Sequence, residues 1–490
     1  MESTNKPIDT DPIDFDQMMV DIMQKQAVMN LGMVGHVANG KTTVTGYLTG
    51  IATNKYSSEK KQNKTIRLGY ANFKVWRCEN CNNFKSTGSG VFEVPCECAD
   101  SNQMRLVNHI SIVDCPGHHL LMSVMLNGSS VMDYTMLVEA VTNSIPAPQT
   151  AEHYRATKIA GIPNAMILMN KIDIAKRSKI ETKLDELEEY IREETHADAD
   201  ERISPVVPIS ATRGTNLDVV CEYLTRLKPP QSRDPNGTFE MLVIRSFDVN
   251  RPGGMGSKGG TDVRKIKGGV IGGSIMRGHL RVGDRLVVIP GKCQRLTKVQ
   301  KEENETEADF SYTPIRCVVR SIQSEKNDMD LAIAGGLLGI QTSVDPAHTR
   351  NDGMTGSIVL KESDYIRALG SGESSYRVFD KIIVKLEDFM LEERKVRANL
   401  PKDAVIKVNV NSNTIRAMVL KYSRKNKELR LFLVQPIPIT ALNDRITIIL
   451  DNSKHNTNNS DPDDDLNTSV LGAGRIIDGI EALRITGERF

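Results

Sequence analysis

The sequence predicts an α/β domain with a mostly parallel sheet and helices on both faces, followed by two all-β barrel domains. Three observations carry that expectation. From residue 27 to residue 228, short apolar runs alternate with longer helical patterns, as repeated βαβ units require. Pro229 and Pro230 then open a stiff polar segment, PPQSRDPNG, which suits a domain boundary. Beyond it the apolar runs are short and separated by Gly, Pro and Asp, the signature of β structure.

Taken in order, residues 1–26 are acidic and aperiodic and read as a mobile tail. Within 27–228, VMNLGMV, HISIV, TMLVEAV, AMILMN and PVVPIS read as buried strands. The stretches Thr42–Ile51, Leu120–Asn127, Gln149–Ala160, Lys176–Glu194 and Asn216–Leu227 read as the helices between them. Residues 238–360 hold FEMLVIRSFDV, GGVIGGSIM, RLVVIP, IRCVVRSI and GSIVL, the strands of a first barrel. Residues 363–490 hold VFDKIIVKL, AVIKVNV, TIRAMVL, ELRLFLV and ITIIL, the strands of a second. The polar, acidic run 452–468 reads as a solvated loop of that last domain.

Composition narrows the class. At about 150 residues per domain, 490 residues accommodate three cores, and 39% hydrophobic with 26% charged residues is ordinary for globular protein. The net charge of +1 points to no acidic partner, so any basic surface is local. Eight cysteines are too few for a disulfide scaffold. The N-terminus has neither a basic start nor an apolar stretch, and the most apolar window, Leu331–Ile340, has ten residues. A membrane helix needs about twenty. A cytoplasmic chain with no membrane segment is therefore expected.

The chemistry begins at Gly35-His36-Val37-Ala38-Asn39-Gly40-Lys41-Thr42, which fits G-x-x-x-x-G-K-[ST] between a strand and a helix. In such a loop the backbone N–H groups of Ala38 to Thr43 curl around phosphate oxygens, Lys41 reaches the β and γ phosphates, and Thr42 ligates magnesium. The helix N-terminus adds a favourable field. Asn170-Lys171-Ile172-Asp173 ends the apolar run AMILM, where a strand end meets ligand. A carboxylate there accepts from N1–H and the 2-amino group of guanine, donors that adenine lacks. Ser210-Ala211-Thr212 completes the base site from the backbone. Asp114-Cys115-Pro116-Gly117 supplies a carboxylate for magnesium through water and a Gly117 N–H for the γ-phosphate. Losing that phosphate frees the loop. Thr65 is a candidate for a second magnesium hydroxyl.

Cys78-x-x-Cys81 and Cys96-x-Cys98 have a spacing compatible with a four-thiolate zinc knuckle, or with four thiols in a loop without metal. Cys115, Cys221, Cys293 and Cys317 read as core. Between Arg394 and Arg430 eleven basic residues face only Asp403 and Glu428. That patch suits RNA phosphates or a barrel edge guarded by lysines.

With GHVANGKTT, KTIRLGYA, DCPGHH, NKID and SAT together, the chain resembles the translational GTPases. Within them it is most similar to the gamma-subunit family of eukaryotic and archaeal initiation factor two. Ala38, the run after Thr65 and the knuckle between the switches carry that preference. The resemblance covers roughly 29–360 and is thin beyond. Asn39 in place of the usual histidine, and His119 in place of an aspartate, depart from the pattern. The resemblance implies a P-loop GTPase that cycles between GTP and GDP with Mg2+. It implies a carrier of initiator methionyl-tRNA, joined to alpha and beta subunits, that delivers the tRNA to the small ribosomal subunit. GTPase-activating and nucleotide-exchange proteins would attend it. It further implies that His118 orients the attacking water and that the tRNA acceptor end lies between the first two domains. Tyr70 is either a contact there or a buried part of the switch region. An elongation-type aminoacyl-tRNA carrier is the alternative.

Overall fold

The computed structural model describes residues 15–51, 68–98, 103–118, 121–195, 204–250, 266–371, 376–389, 400–440, 444–449 and 470–485. Thr65, His119 and the loop 452–468 lie outside the described residues.

The first domain contains α1 (Phe15–Lys25), β1 (Met29–Val34), α2 (Lys41–Thr49), β2 (Gly69–Arg77), β3 (Phe84–Gly88) and β4 (Arg105–Asp114). It continues with α3 (Met122–Ser129), β5 (Tyr134–Ala140), α4 (Pro148–Ile159), β6 (Asn164–Asn170), α5 (Arg177–Thr195), β7 (Val206–Pro208) and α6 (Leu217–Thr225). The sheet order is β3-β2-β4-β1-β5-β6-β7. Side chains alternate across it. Met29, Leu31 and Met33 of β1, with Met166 and Leu168 of β6, pack with α1, α2 and α6. Leu137, Ile167 and Met169 pack the other face with α3, α4 and α5.

The sheet is mostly parallel, as expected, through the pairings of β1 with β4 and β5, and of β6 with β5 and β7. Strand β2 alone runs antiparallel, to both β3 and β4. A hairpin needs only a short turn, so this edge could be added without a crossover helix. One expectation is corrected: the segment read as a tail holds α1, whose Ile22 is buried against the sheet. After it Gln26 is fully buried, donating to the carbonyls of Ile333 (2.7 Å) and Gly335 (3.0 Å).

The second domain comprises β8 (Glu240–Phe247), β9 (Val270–Arg277), β10 (His279–Arg281), β11 (Arg285–Arg295), β12 (Phe310–Ser324), β13 (Asn327–Met329), β14 (Leu331–Ile333), β15 (Leu338–Thr342) and β16 (Ile358–Lys361). Strands β11-β16-β8-β9-β15-β12 close through the β11–β12 pairing. The apolar window at 331–340 thus supplies β14 and the start of β15. Helix α7 (Glu362–Ser371) leads to the third domain: β17 (Tyr376–Phe389), β18 (Val405–Val410), β19 (Asn413–Ser423), β20 (Glu428–Thr440), β21 (Arg445–Ile449) and β22 (Val470–Glu481). They close as β17-β20-β19-β18-β21-β22. A last short strand, β23 (Leu483–Arg484), pairs with β12. Closure removes exposed strand edges from both barrels.

A buried ion pair fastens the first two domains. Arg233 in the linker donates to Asp133 at 2.8 Å, to the Val131 carbonyl at 3.0 Å and to the Ile275 carbonyl at 2.6 Å. Asp133 also accepts from the Asn30 N–H at 2.8 Å. Each charge is therefore satisfied on several sides, as a buried pair requires.

Candidate active site

The loop after β1 turns sharply because two glycines allow it. Gly35 has φ 136° and a Cβ there would lie 2.3 Å from the Val138 carbonyl oxygen. Gly40 caps α2 with φ 95°, and a Cβ there would meet Asn170 Nδ2 at 2.3 Å. Among the described residues no side chain caps α2, so its first N–H groups stay available to an anion. Ala38 takes a positive φ of 65°, a strained position for a residue with a Cβ.

Lys41 is buried, and its Nζ donates to the carbonyls of Gly35 (2.7 Å) and His36 (2.8 Å). Burial lowers its pKa to about 8, against the pull of Asp114. Thr42 Oγ1 donates to Asp114 Oδ2 at 2.8 Å, so the two oxygen groups expected around magnesium sit together. Gly117 closes the site. A Cβ there would lie 2.5 Å from Lys41 Nζ and 2.8 Å from the Val37 nitrogen, so only glycine brings this loop so near. His118 follows, half-buried, with its carbonyl accepting from the Leu121 N–H at 2.8 Å.

The base motif gathers beside it. Asn170, at the end of β6, donates to the Asn39 carbonyl at 2.8 Å and accepts from the Ala211 N–H at 3.1 Å. One side chain thereby ties the phosphate loop to the segment Ser210–Thr212. Lys171 adopts φ 68°, turning the chain so that Asp173 points back. Asp173 Oδ1 accepts from Ser210 Oγ at 2.8 Å, and Ser210 Oγ lies 3.3 Å from Thr212 Oγ1. Arg213 stands 3.7 Å from the other carboxylate oxygen and is largely exposed.

Sequence reasoning passed over the backing of this site. Gly35 N–H donates to His153 Nδ1 at 3.2 Å and His36 N–H to Thr150 Oγ1 at 3.2 Å. Both acceptors are fully buried on α4. Burial, reinforced by Lys41 and His36, lowers the His153 pKa to about 3, which keeps the ring neutral and able to accept. Glu139, fully buried in β5, was legible as the one charged residue inside the apolar run TMLVEAV.

The four cysteines of the knuckle converge. Their sulfurs lie within 4.8 Å of one another, with Cys78–Cys98 at 3.8 Å and Cys81–Cys96 at 3.5 Å. Tetrahedral zinc with bonds near 2.3 Å places sulfurs about 3.8 Å apart, so the cluster fits that ion. Backbone hydrogen bonding by Cys81, working against desolvation, brings the Cys78 pKa down to about 6, towards the thiolate a metal takes. Trp76, Val94, Met104 and Leu106 pack beneath. Of the other cysteines, Cys115, Cys221 and Cys317 are buried as expected. Cys293 is exposed, because it lies beyond the irregularity in the β11–β12 pairing, where strand β11 leaves the core.

Tyr70 sits on β2, one residue after Gly69, which pairs with Asp114. Its hydroxyl is buried with no hydrogen-bond partner among the described residues, and burial pushes its pKa up. It lines a cavity of about 480 Å³ between Tyr70–Asn72 and the first barrel, where Arg245, Phe247 and Lys267 face it. Of the basic patch, Lys407 lies opposite Arg416 and Lys421 opposite Arg430 on the barrel strands. Lys402, Arg424, Lys425 and Lys427 lie in turns, and Arg394, Lys395 and Arg397 lie outside the described residues.

A phosphate loop, a base motif and two trailing barrels define a translational GTPase. Residues 26–230 match the elongation factor Tu GTP binding domain. The chain is 36% identical to eukaryotic translation initiation factor 2 subunit 3 of Drosophila melanogaster, over 80% of this chain and 79% of that one. It is also 36% identical to the gamma subunit of the Schizosaccharomyces pombe factor, over 82% and 86%, and 33% identical to that of Encephalitozoon cuniculi, over 84% and 87%. The fold resembles a bacterial selenocysteine-specific elongation factor, with TM-score 0.62 and 19% identity over 92% of this chain and 58% of that one. It also resembles elongation factor SelB of Methanococcus maripaludis with a GTP analogue, at TM-score 0.58 and 20% identity, over 92% and 79%. The chain belongs to the family of translation initiation factor 2 gamma subunits. It is a translation initiation GTPase, which implies GTP, GDP and Mg2+. No helix among the described residues is long and apolar enough to cross a membrane.

Proposed function

We propose that the chain binds initiator methionyl-tRNA in its GTP form and delivers it to the small ribosomal subunit, with hydrolysis triggering release. It acts in the cytoplasm, joined to alpha and beta subunits and served by GTPase-activating and nucleotide-exchange proteins. The observation that carries this reading is the position of the Tyr70 cavity. It opens one residue along β2 from the strand pair Gly69–Asp114. A loop movement at the nucleotide therefore alters the wall that would meet an acceptor end.

In this reading Ala38 to Thr43 and Gly117 hold the phosphates. Thr42 and Asp114, with Thr65, hold magnesium, which neutralises charge on the β and γ phosphates. Asn170, Lys171, Asp173, Ser210, Ala211 and Thr212 hold guanine. His118 orients the water for in-line attack, a matter of positioning more than of covalent help. Cys78, Cys81, Cys96 and Cys98 hold a structural zinc with no open position. Purified protein should carry about one equivalent of zinc, and the pair Cys78→Ser and Cys81→Ser should lose it. Less than about 0.2 equivalents would reject the metal.

Co-purification from the native cell tests the assembly. Alpha and beta subunits and initiator tRNA should come with the chain. Recovery of the chain alone, with no tRNA, would reject the carrier role.

A further inference from the structure

Glu139 stands behind the phosphate loop and touches no position expected to meet the nucleotide. Its Oε1 accepts from the Ala140 N–H at 3.2 Å and from Asn143 Nδ2 at 3.3 Å. The second hydrogen of that amide goes to Asn39 Oδ1, 2.8 Å away, and Asn39 Nδ2 in turn donates to the Val138 carbonyl at 2.7 Å. Burial pushes the Glu139 pKa up, and hydrogen bonding from Thr150, Ala140 and Asn143 works against that shift; Thr150 itself receives the His36 N–H. Asn39, Glu139 and Thr150 are all fully buried.

A carboxylate accepts hydrogen bonds and donates none. Placed here, it obliges Asn143 to present its amine rather than its carbonyl. The other amine hydrogen goes to Asn39 Oδ1, which fixes the orientation of Asn39 as well. The Asn39 shoulder of the loop is thereby tied to the Glu139 carboxyl through Asn143. We infer that Glu139 is a positioning residue for nucleotide retention: through Asn143 it sets the hydrogen-bond polarity of Asn39, which holds the loop in its phosphate-binding shape. The inference rests on the reading of Gly35 to Thr43 as the phosphate loop. It also accounts for Asn39 at a position where the resemblance expects histidine, since a carboxamide both receives from Asn143 and donates to Val138.

The test measures release of a fluorescent GDP analogue from the full chain, chased with unlabelled GDP. Glu139→Gln keeps the size of the side chain but adds a competing donor. It should release nucleotide about tenfold faster, the effect of one charged hydrogen bond. Asn39→Ala should accelerate release similarly, and the double variant should be no faster than the faster single one, since both break one chain of contacts. Preference for guanine over xanthine nucleotides should stay as in wild type, a property that general loosening of the domain would change. If Glu139→Gln does not fold, the half-buried Asn143→Ala carries the same expectation. Wild-type release from Glu139→Gln, or single effects that multiply, would overturn the inference. Lys41→Ala is the control: unchanged GTP affinity there would overturn the underlying reading of the loop instead.

Discussion

The phosphate end and the base end of the site are built on opposite plans. Around the loop, Asn39, Lys41, Asp114, Glu139, Thr150 and His153 are all buried, and nearly every contact is to backbone or to another buried group. At the base end Asp173 and Lys171 lie near the surface, and Arg213 is largely exposed. A ligand carrying several negative charges needs many fixed donors, and a buried, hydrogen-bonded shell holds them in place. A base needs one decision between guanine and its rivals, which a single carboxylate makes. In the proposed reading the buried half holds the phosphates and the exposed half chooses the base.

That division can be broken in graded ways. The largest effect should come from His118→Ala, which removes the group expected to orient water while leaving the cradle intact. Stimulated hydrolysis in single turnover should fall by about 1,000-fold or more, with GTP affinity within a few fold of wild type. Equal loss of binding would mean that His118 is part of the cradle. Next comes Asp173→Asn. An amide loses the paired acceptor for guanine but can donate to a 2-oxo group, so GTP affinity should fall about 100-fold while xanthosine triphosphate gains. Unchanged GTP binding would remove Asp173 from the base site.

A pH series sharpens the contrast further. His153 has its pKa lowered by burial to about 3. A histidine held neutral in the fold and charged when unfolded gives up stability as pH falls below about 6.5. At pH 5 the loss is about 2 kcal/mol from this residue. Unfolding of the first domain followed by denaturant titration should show that slope, and His153→Gln should flatten it. A slope unchanged by the substitution would place the acid sensitivity elsewhere. The smallest effect should be Arg213→Ala. An exposed ion pair 3.7 Å from Asp173 is screened by water, so GTP affinity should move less than about twofold; a tenfold change would make Arg213 a base contact.

How much of this was legible in the sequence follows the same division. The phosphate loop, DCPG and NKID each lie within a few consecutive residues, so their spacing alone places them at strand ends. The buried shell behind them comes from distant segments, with His36 meeting Thr150 and Asn39 meeting Asn143. No local pattern encodes such pairings, and only the lone charge of Glu139 in an apolar strand hinted at them. The β2–β3 hairpin escaped notice because the first three residues of β2 close the motif KTIRLGYA, which masks the alternation that follows. Helix α1 was hidden by its acidic flanks, although Met19, Ile22 and Met23 follow helical spacing. The Tyr70 cavity joins residues 70–72 to Arg245, Phe247, Lys267 and Gln341 of the first barrel, a juxtaposition that only the folded domains create.

The central claim is that this GTPase carries initiator tRNA, and filter binding tests it most directly. Purified chain would be mixed with methionylated initiator tRNA or with other aminoacyl-tRNAs, in GTP and in GDP. The account predicts tight binding of the methionylated initiator in GTP, much weaker binding in GDP, and discrimination against other aminoacyl groups. Equal affinity for every aminoacyl-tRNA would point to an elongation-type carrier, and affinity independent of the nucleotide would contradict the coupling between Asp114 and the Tyr70 cavity.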